Sequence, residues 1–414
     1  VQTRVTPDDI ARAASSTIAV RTPVEPSVRL SERYGAQVLL KREDLQLGRS
    51  YKVRGAYHLM SGLGADELAR GVVCASAGNH AQGVAISCAR LGVRGHIFLP
   101  STTPRQKRDR IAQLGGEHVT LTLVGRTYDD AGLAAAGAAV DTGATYVHPF
   151  DDLRTITGQG TVGHELTDQL AGDPLDVLVL PVGGGGLAAG VATWVRATWP
   201  GTRIVGVEPA GAASMSAALA AGAPTRLADL DTFVDGASVG LAGTATYPLV
   251  RDLVDEVVTV DVGAICTEML GLYQVDGVIA EPAGALATTA LQVLDLGDAA
   301  RVGCVVSGGN NDVSRYAEVI ERSLVHEGLR HYFLVSFPQE PGALRGFLDH
   351  VLADGEDIVV FEYVKKSNRE TGPALIGIDL DAADGLPALV ARMEASNLGI
   401  EKIPAGSPLF SFLH

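Results

Sequence analysis

The sequence is poor in basic residues, in cysteine and in aromatics, and each shortage removes a class of function. Lysine and arginine number 33 against 48 aspartates and glutamates, a formal net charge of -15 over 414 residues. Nucleic-acid-binding chains show a basic face, and none is legible here. An anionic small ligand stays open, because backbone N–H groups and local bases can bind one. Four cysteines (Cys74, Cys88, Cys266, Cys304) lie in apolar surroundings without a CxxC pair. Reduced core thiols are therefore expected, not a disulfide frame or a metal site. Aromatics make up 5% of the chain while 49 residues are glycine, a composition suited to helices packed closely on a sheet. Long unbroken apolar runs are also missing. The charge-free stretch Val177–Val195 approaches the length of a membrane span. LPVGGGGLAAG interrupts it with a proline and four glycines, and Asp176 and Arg196 bound it. A strand, a tight loop and a helix are expected there, with no membrane partner. No signal-peptide pattern is read at the start.

What is present is a repeating grammar. GVVCAS followed by HAQGVAISCARLG reads as a strand and then a glycine-stopped helix. RGHIFLP with TPRQKRDRIAQLGG repeats it, Thr103 being the expected cap and Pro104 the first helical residue. EHVTLTL with TYDDAGLAAAGAAVDTG, and LDVLVLPV with GLAAGVATWVRATWPG and RIVGVEP, continue the series. Serial strand–helix units imply a parallel sheet covered by helices, with ligands at the carboxyl ends of its strands. The length predicts two or three domains. From about Leu329 the order becomes strand, helix, two strands, helix, strand, with a polar KKSNRET hairpin tip, a ferredoxin-like α+β module.

The unusual loops fall at strand ends. PVGGGGLAAG follows an apolar strand and opens a helix, so Gly183, Gly184, Gly185 and Gly186 offer close backbone approach beside free N–H groups. That makes a phosphate cradle. It lacks G-x-G-x-x-G spacing and a Walker lysine, and only Glu208 could serve a ribose. SAGNHAQG places Ser76, Gly78, Asn79 and His80 at a second strand-to-helix turn suited to a carboxylate; a plain helix cap is common at any one such turn, but Asn79 and His80 together after a glycine favour a ligand. CVVSGGNND ends a third strand with Ser307 at its lip. Lys52, in GRSYKVRGAY, follows a run in which apolar residues give way to charges. A lysine used as a nucleophile must be partly desolvated and fixed in place. Lysine amine, phosphate cradle, carboxylate cradle and strand-end serine together suit pyridoxal phosphate acting on an amino acid.

KREDLQLGRSYKVRGAY, ASAGNHAQGVA, VHPFDDLRTITGQGT, PVGGGGLAAGV, AEPAGALA and the SGGNND turn resemble the threonine dehydratases, fold-type II pyridoxal phosphate enzymes. The match spans essentially the whole chain, and the terminal module is similar to the ACT-like regulatory domain of the biosynthetic branch. Cysteine synthases would carry a threonine where His80 stands. The resemblance implies an α/β fold of two open, twisted, mostly parallel sheets covered by helices. It implies a catalytic domain over residues 1–328, with a smaller subdomain inserted over about 55–150, and a regulatory domain over 329–414.

Carried onto this chain, it implies that Lys52 holds pyridoxal 5'-phosphate as a Schiff base and, once freed, takes the Cα proton. Asn79 would meet the cofactor's ring oxygen, Gly183 to Leu187 its phosphate, and Ser307 its pyridine nitrogen. Ser76, Gly78 and His80 would seat the substrate carboxylate. A serine at the ring nitrogen makes a weaker electron sink than an aspartate and favours elimination over transamination. Ala77 lacks the second hydroxyl of the related serine racemases, and Ser214 stands where their metal site has a carboxylate beside Glu208. No metal is expected. Gly236 and Glu281 would line the cofactor ring, although a turn glycine and a helix-entry glutamate account for them equally.

The implied reaction turns L-threonine into 2-oxobutanoate and ammonia for isoleucine synthesis. The residues alone admit L-serine as well, and a catabolic dehydratase or a racemase-like enzyme is the neighbouring alternative. Isoleucine is the expected inhibitor and valine its opponent, with the effector cleft around the Phe361–Tyr363 strand, whose aromatics could equally be core. A cytoplasmic homo-oligomer, dimer or tetramer, is expected. From other classes, a nicotinamide-dependent dehydrogenase would leave Lys52 and Asn79 unexplained, and a non-catalytic amino-acid sensor would use the terminal module alone.

Overall fold

The computed structural model describes residues 4–363, 370–396, 398–404 and 407. The chain divides into two compact units, Val1–Asp312 and Val313–His414.

The first unit contains two sheets. One has six strands in the order Val24–Pro26, Gln37–Arg42, Arg301–Val306, Val177–Pro181, Arg203–Pro209 and Glu256–Val260. Only the first pair is antiparallel. The other has four parallel strands, Val119–Leu123, Gly95–Leu99, Val72–Ala75 and Thr145–Tyr146. The central strands are buried along their length, as expected of parallel strands covered on both faces. The Val177–Val195 run resolves into the strand Val177–Pro181 and the helix Gly186–Thr198. Among the described residues no helix is long and apolar enough to cross a membrane. All four cysteines are buried thiols.

Glycines at helix crossings explain much of the composition. A Cβ on Gly158 would collide with the Arg54 carbonyl, and one on Gly190 with the Ile156 carbonyl. The helices Lys52–Ser61, Leu153–Gln169 and Gly186–Thr198 therefore touch backbone to backbone. A Cβ on Gly83 would lie 3.0 Å from the Lys52 carbonyl carbon, which brings the helix Asn79–Leu91 against the same backbone. Close approach of this kind carries the start of the Lys52 helix to the glycine loop.

One local expectation is corrected. The helix after Pro104 runs from Arg105 to Gly115 with Pro104 as its cap residue, and no side chain caps it. Thr103 closes a turn onto the Pro100 carbonyl instead, at 3.0 Å, and its buried hydroxyl has no partner. Lacking an N–H, Pro104 supplies the first helical carbonyl, accepting from Lys107 and Arg108.

The second unit has strands Arg330–Pro338, Glu356–Tyr363, Thr371–Leu380 and Gly399–Ile403 and helices Ala343–His350 and Leu386–Ala395 in βαββαβ order. Its antiparallel sheet is ordered 356–363, 371–380, 330–338, 399–403. Most of the KKSNRET tip lies outside the described residues. A further helix, Tyr316–His326, precedes the first strand and belongs to this unit: Val325 packs on Tyr332, whose hydroxyl contacts Glu321. Phe337 gathers Phe347, Phe361 and Tyr363 at ring distances of 5.5, 6.2 and 5.9 Å. Tyr363 remains 38% exposed at the edge of this cluster.

Candidate active site

The carboxyl ends of the parallel strands feed every loop singled out in the sequence. Gln37–Arg42 leads to Lys52, Val72–Ala75 to Ser76–His80, Val177–Pro181 to the glycine run, and Arg301–Val306 to Ser307. The loops join in a ring of contacts. Tyr51 N–H donates to the Ser307 carbonyl at 3.2 Å, and Ser50 bridges Gly308. A Cβ on Gly308 would fall on the Glu281 carboxylate. Glu281 Oε1 accepts from Asn79 Nδ2 at 2.5 Å. A Cβ on Gly236 would meet Ala283, Glu281 and Asn79, and one on Gly183 would meet Ala237. The ring closes through Pro149, whose carbonyl accepts from Lys52 Nζ and from Gln159 Nε2, both at 3.0 Å.

Lys52 opens its helix, where the first N–H groups lack intrahelical partners. Burial pushes its amine down to about 8, the Glu281 charge opposing. A lysine of this kind is neutral about one time in ten at pH 7, far more often than a free lysine, as a nucleophile or base must be.

The glycine loop is shaped by its neighbours. Gly185 sits at φ 90°, left-handed backbone that favours glycine, and a Cβ on Gly184 would enter the Phe150 ring. Leu187 is buried in the second residue of the helix Gly186–Thr198. Thr246 Oγ1 donates to the Gly184 carbonyl at 2.6 Å, which satisfies that carbonyl within the protein. The cradle keeps its N–H groups and the positive end of the helix.

Gly78 N–H donates to Ser76 Oγ at 3.2 Å. His80 is 3% exposed, with Nε2 at 2.7 Å from the Val147 carbonyl. Burial, aided by the Lys52 charge, holds its ring neutral, with the pKa pushed down to about 3. What His80 offers an anion is therefore its backbone N–H in the first helical turn. Ser307 Oγ donates to the Ala283 carbonyl at 3.2 Å.

Glu208, buried near the end of the strand Arg203–Pro209, accepts from Met215 N–H, Ser216 N–H and Ser216 Oγ at 2.7, 2.8 and 2.7 Å. Its carboxylate thus serves the start of the helix Ser214–Ala221. Among the described residues, no group of three histidines, cysteines, aspartates or glutamates is arranged to hold a metal.

Two features had no role in the sequence reading. The Pro149 carbonyl is invisible there because backbone atoms leave no signature. Gln159, fully buried, presents an unpartnered Oε1 beside Gly186. It lies inside VHPFDDLRTITGQGT, where a glutamine buried among small residues was the available signal.

Residues 16–308 match the family model described as pyridoxal-phosphate dependent enzyme, and residues 321–413 that of the C-terminal regulatory domain of threonine dehydratase. The chain belongs to the threonine dehydratase family of pyridoxal-phosphate-dependent enzymes. The biosynthetic L-threonine dehydratase of Mycobacterium bovis is 56% identical over 98% of this chain and 95% of its own. The solved threonine deaminase isoform 2 of Solanum lycopersicum, in its processed form, is 38% identical, with a TM-score of 0.72 over 77% of this chain and 93% of its own. Maize serine racemase is 32% identical, with a TM-score of 0.71 over 78% of this chain and 98% of its own.

The residues suit the cofactor of a threonine dehydratase. Asn79 Oδ1 and Gln159 Oε1 are buried polar atoms without partners, and glycines line the cradle where any Cβ would strike a neighbour. Both are marks of a pocket built around a polar ligand.

Proposed function

We propose that this dehydratase converts L-threonine into 2-oxobutanoate and ammonia, and that Lys52 holds its pyridoxal phosphate and moves the proton. The observation that carries the reading is the amine itself: partly buried, with a pKa of about 8, and tied through the Pro149 carbonyl to the Gln159 side chain beside the glycine cradle. When bound, pyridoxal phosphate supplies an electron sink that acidifies the substrate Cα–H. The chain does the rest. The N–H groups of Gly183 to Leu187 would hold the cofactor's phosphate, Asn79 would offer an N–H to the ring oxygen, and the Ser307 hydroxyl would meet the ring nitrogen. Ser76, the Gly78 turn and the N–H of His80 would seat the carboxylate, which would orient Cα–H toward Lys52 as general base. Ala77 brings no hydroxyl to the opposite face, which supports elimination over racemisation.

Capture of the cofactor requires a neutral amine. The rate at which cofactor-free protein acquires visible absorbance on mixing with pyridoxal phosphate is therefore expected to fall about tenfold per unit below pH 8 and to level off above it. A rate independent of pH across that range would contradict Lys52 as the anchor.

The second unit is read as an isoleucine-responsive domain, valine opposing, with its effector cleft beside Phe361 and Tyr363. A single such module supports an effector site completed between subunits of a dimer or tetramer. Buried reduced thiols agree with a cytoplasmic protein. Because the helix Tyr316–His326 belongs to the second unit, the informative truncation ends at Asp312. That chain keeps both sheets of the first unit, and it is expected to retain threonine turnover and lose inhibition by isoleucine. Inhibition that survives the cut would move the effector site into the first unit.

A further inference from the structure

Glu281 is 4% exposed and stands at the start of the helix Pro282–Thr289, yet its side chain makes no cap hydrogen bond there. It turns toward Asn79 Nδ2 instead, at 2.5 Å. Its backbone N–H donates to the Gly308 carbonyl at 3.1 Å, and a Cβ on Gly236 would come within 3.6 Å of its Oε1. Glu281 thus meets three of the loops that form the site, through its carboxylate and its backbone N–H. No arginine or lysine is hydrogen-bonded to it among the described residues, in contrast to the buried Glu43, which Arg54 grips twice. A buried carboxylate without such a partner is unfavourable, so stability alone does not account for this one.

We propose that Glu281 is a positioning residue: its carboxylate, which can only accept, holds the Asn79 amide with the NH2 end toward itself and so presents that nitrogen's second N–H to the cofactor's ring oxygen. The proposal rests on the reading of Asn79 given above. A carboxamide can present either end, and the choice is made by its partner. A carboxylate accepts and fixes the nitrogen; a protonated carboxyl can donate to Oδ1 and release it. Asn79 Oδ1 is buried without a donor, which agrees with an amide oriented by the nitrogen alone.

The groups facing Glu281 decide its charge. Burial and the Asp235 charge push its carboxyl up to about 7, against the Asn79 hydrogen bond and the charges of Lys107 and Lys52. Tyr51 lies in the same field. Since the folded value is raised, the group supports the fold at acid pH and this contribution is lost as pH rises through about 7. Above that point the charge that orients Asn79 opposes the stability of the cofactor-free protein.

The test compares wild type with Glu281→Gln, which is isosteric and uncharged. Visible absorbance of the cofactor-loaded proteins is followed from roughly pH 6 to pH 9, together with the pyridoxal phosphate affinity and thermal midpoint of the cofactor-free forms. Wild type should show a spectral transition near neutrality that Glu281→Gln lacks. The variant should bind pyridoxal phosphate about tenfold more weakly and melt a few degrees higher above neutrality. A variant that melts lower and keeps the transition would make Glu281 a structural residue and overturn the proposal. Asn79→Ala reads the same contact from the other side, and retention of the transition there overturns it equally. A wild type that binds no pyridoxal phosphate would sink the reading of the site itself, and the proposal with it.

Discussion

Lys52→Ala protein is expected to lack the absorbance of a lysine-linked cofactor and to form 2-oxo acid from L-threonine at least roughly 10³-fold more slowly than its parent. The effect is large because one amine is read as both the cofactor's covalent anchor and the general base. Removing it takes away attachment and proton transfer together, while the glycine loop, shaped by Phe150, Met215 and Thr246 rather than by Lys52, stays in place. The variant should therefore still bind pyridoxal phosphate without a covalent link, seen as the spectrum of the free aldehyde and as failure of borohydride to fix the label. A small exogenous amine should restore part of the turnover. A label still fixed by borohydride and turnover retained in Lys52→Ala would return this lysine to the wall of the cleft.

Arg54→Ala should be the most destabilising single change in the Lys52 helix, by about 3–5 kcal/mol. Arg54 lies two residues beyond Lys52 and is 1% exposed. Its Nε and Nη2 meet Glu43 at 2.8 and 2.7 Å, and Nη2 also meets Glu165 at 3.0 Å. Lys41 Nζ reaches Glu165 at 2.5 Å and the Thr22 carbonyl at 2.7 Å, which extends the network to the strand Gln37–Arg42. Truncating Arg54 leaves Glu43 charged, buried and poorly compensated. Lysine should rescue little, since a point charge cannot span both oxygens.

The pH dependence follows from Glu43. Burial pushes its carboxyl up, but the Arg54 charge and hydrogen bonds outweigh that and hold it below its ordinary value. A lowered folded value gives stability that is present above the ordinary carboxylate range and lost as pH falls. Without Arg54 that contribution disappears, and Glu43 can relieve its burial by taking up a proton. The difference in thermal midpoint between wild type and Arg54→Ala should therefore be large at neutral pH and shrink toward pH 5. A difference constant with pH would show that lost packing, not the unpaired carboxylate, is responsible.

Much of the fold was legible because parallel α/β architecture writes itself locally. Apolar runs such as LDVLVLPV, glycine stops and polar strand-end turns carry their own periodicity and backbone preference. The βαββαβ order of the second unit was readable for the same reason. Thr103 was misjudged because a threonine before a proline resembles a cap, whereas the cap geometry depends on the turn that precedes it. The helix Tyr316–His326 looked like the end of the first domain, since a sequence does not say which core a helix packs against.

Sequence by itself determined the chemistry available to this protein: a lysine at a loop-to-helix junction, a glycine run after a strand, Asn79 and Ser307 at turns. These are properties of short segments, set by propensity and residue type. Tertiary structure decided which of those groups act on one another. It gave Lys52 the Pro149 carbonyl and a lowered pKa, engaged His80 with Val147, committed Glu208 to a helix start, and set Glu281 against Asn79 across 202 positions of chain. Burial and the field of neighbouring charges depend on the whole packed arrangement, and no local pattern encodes them.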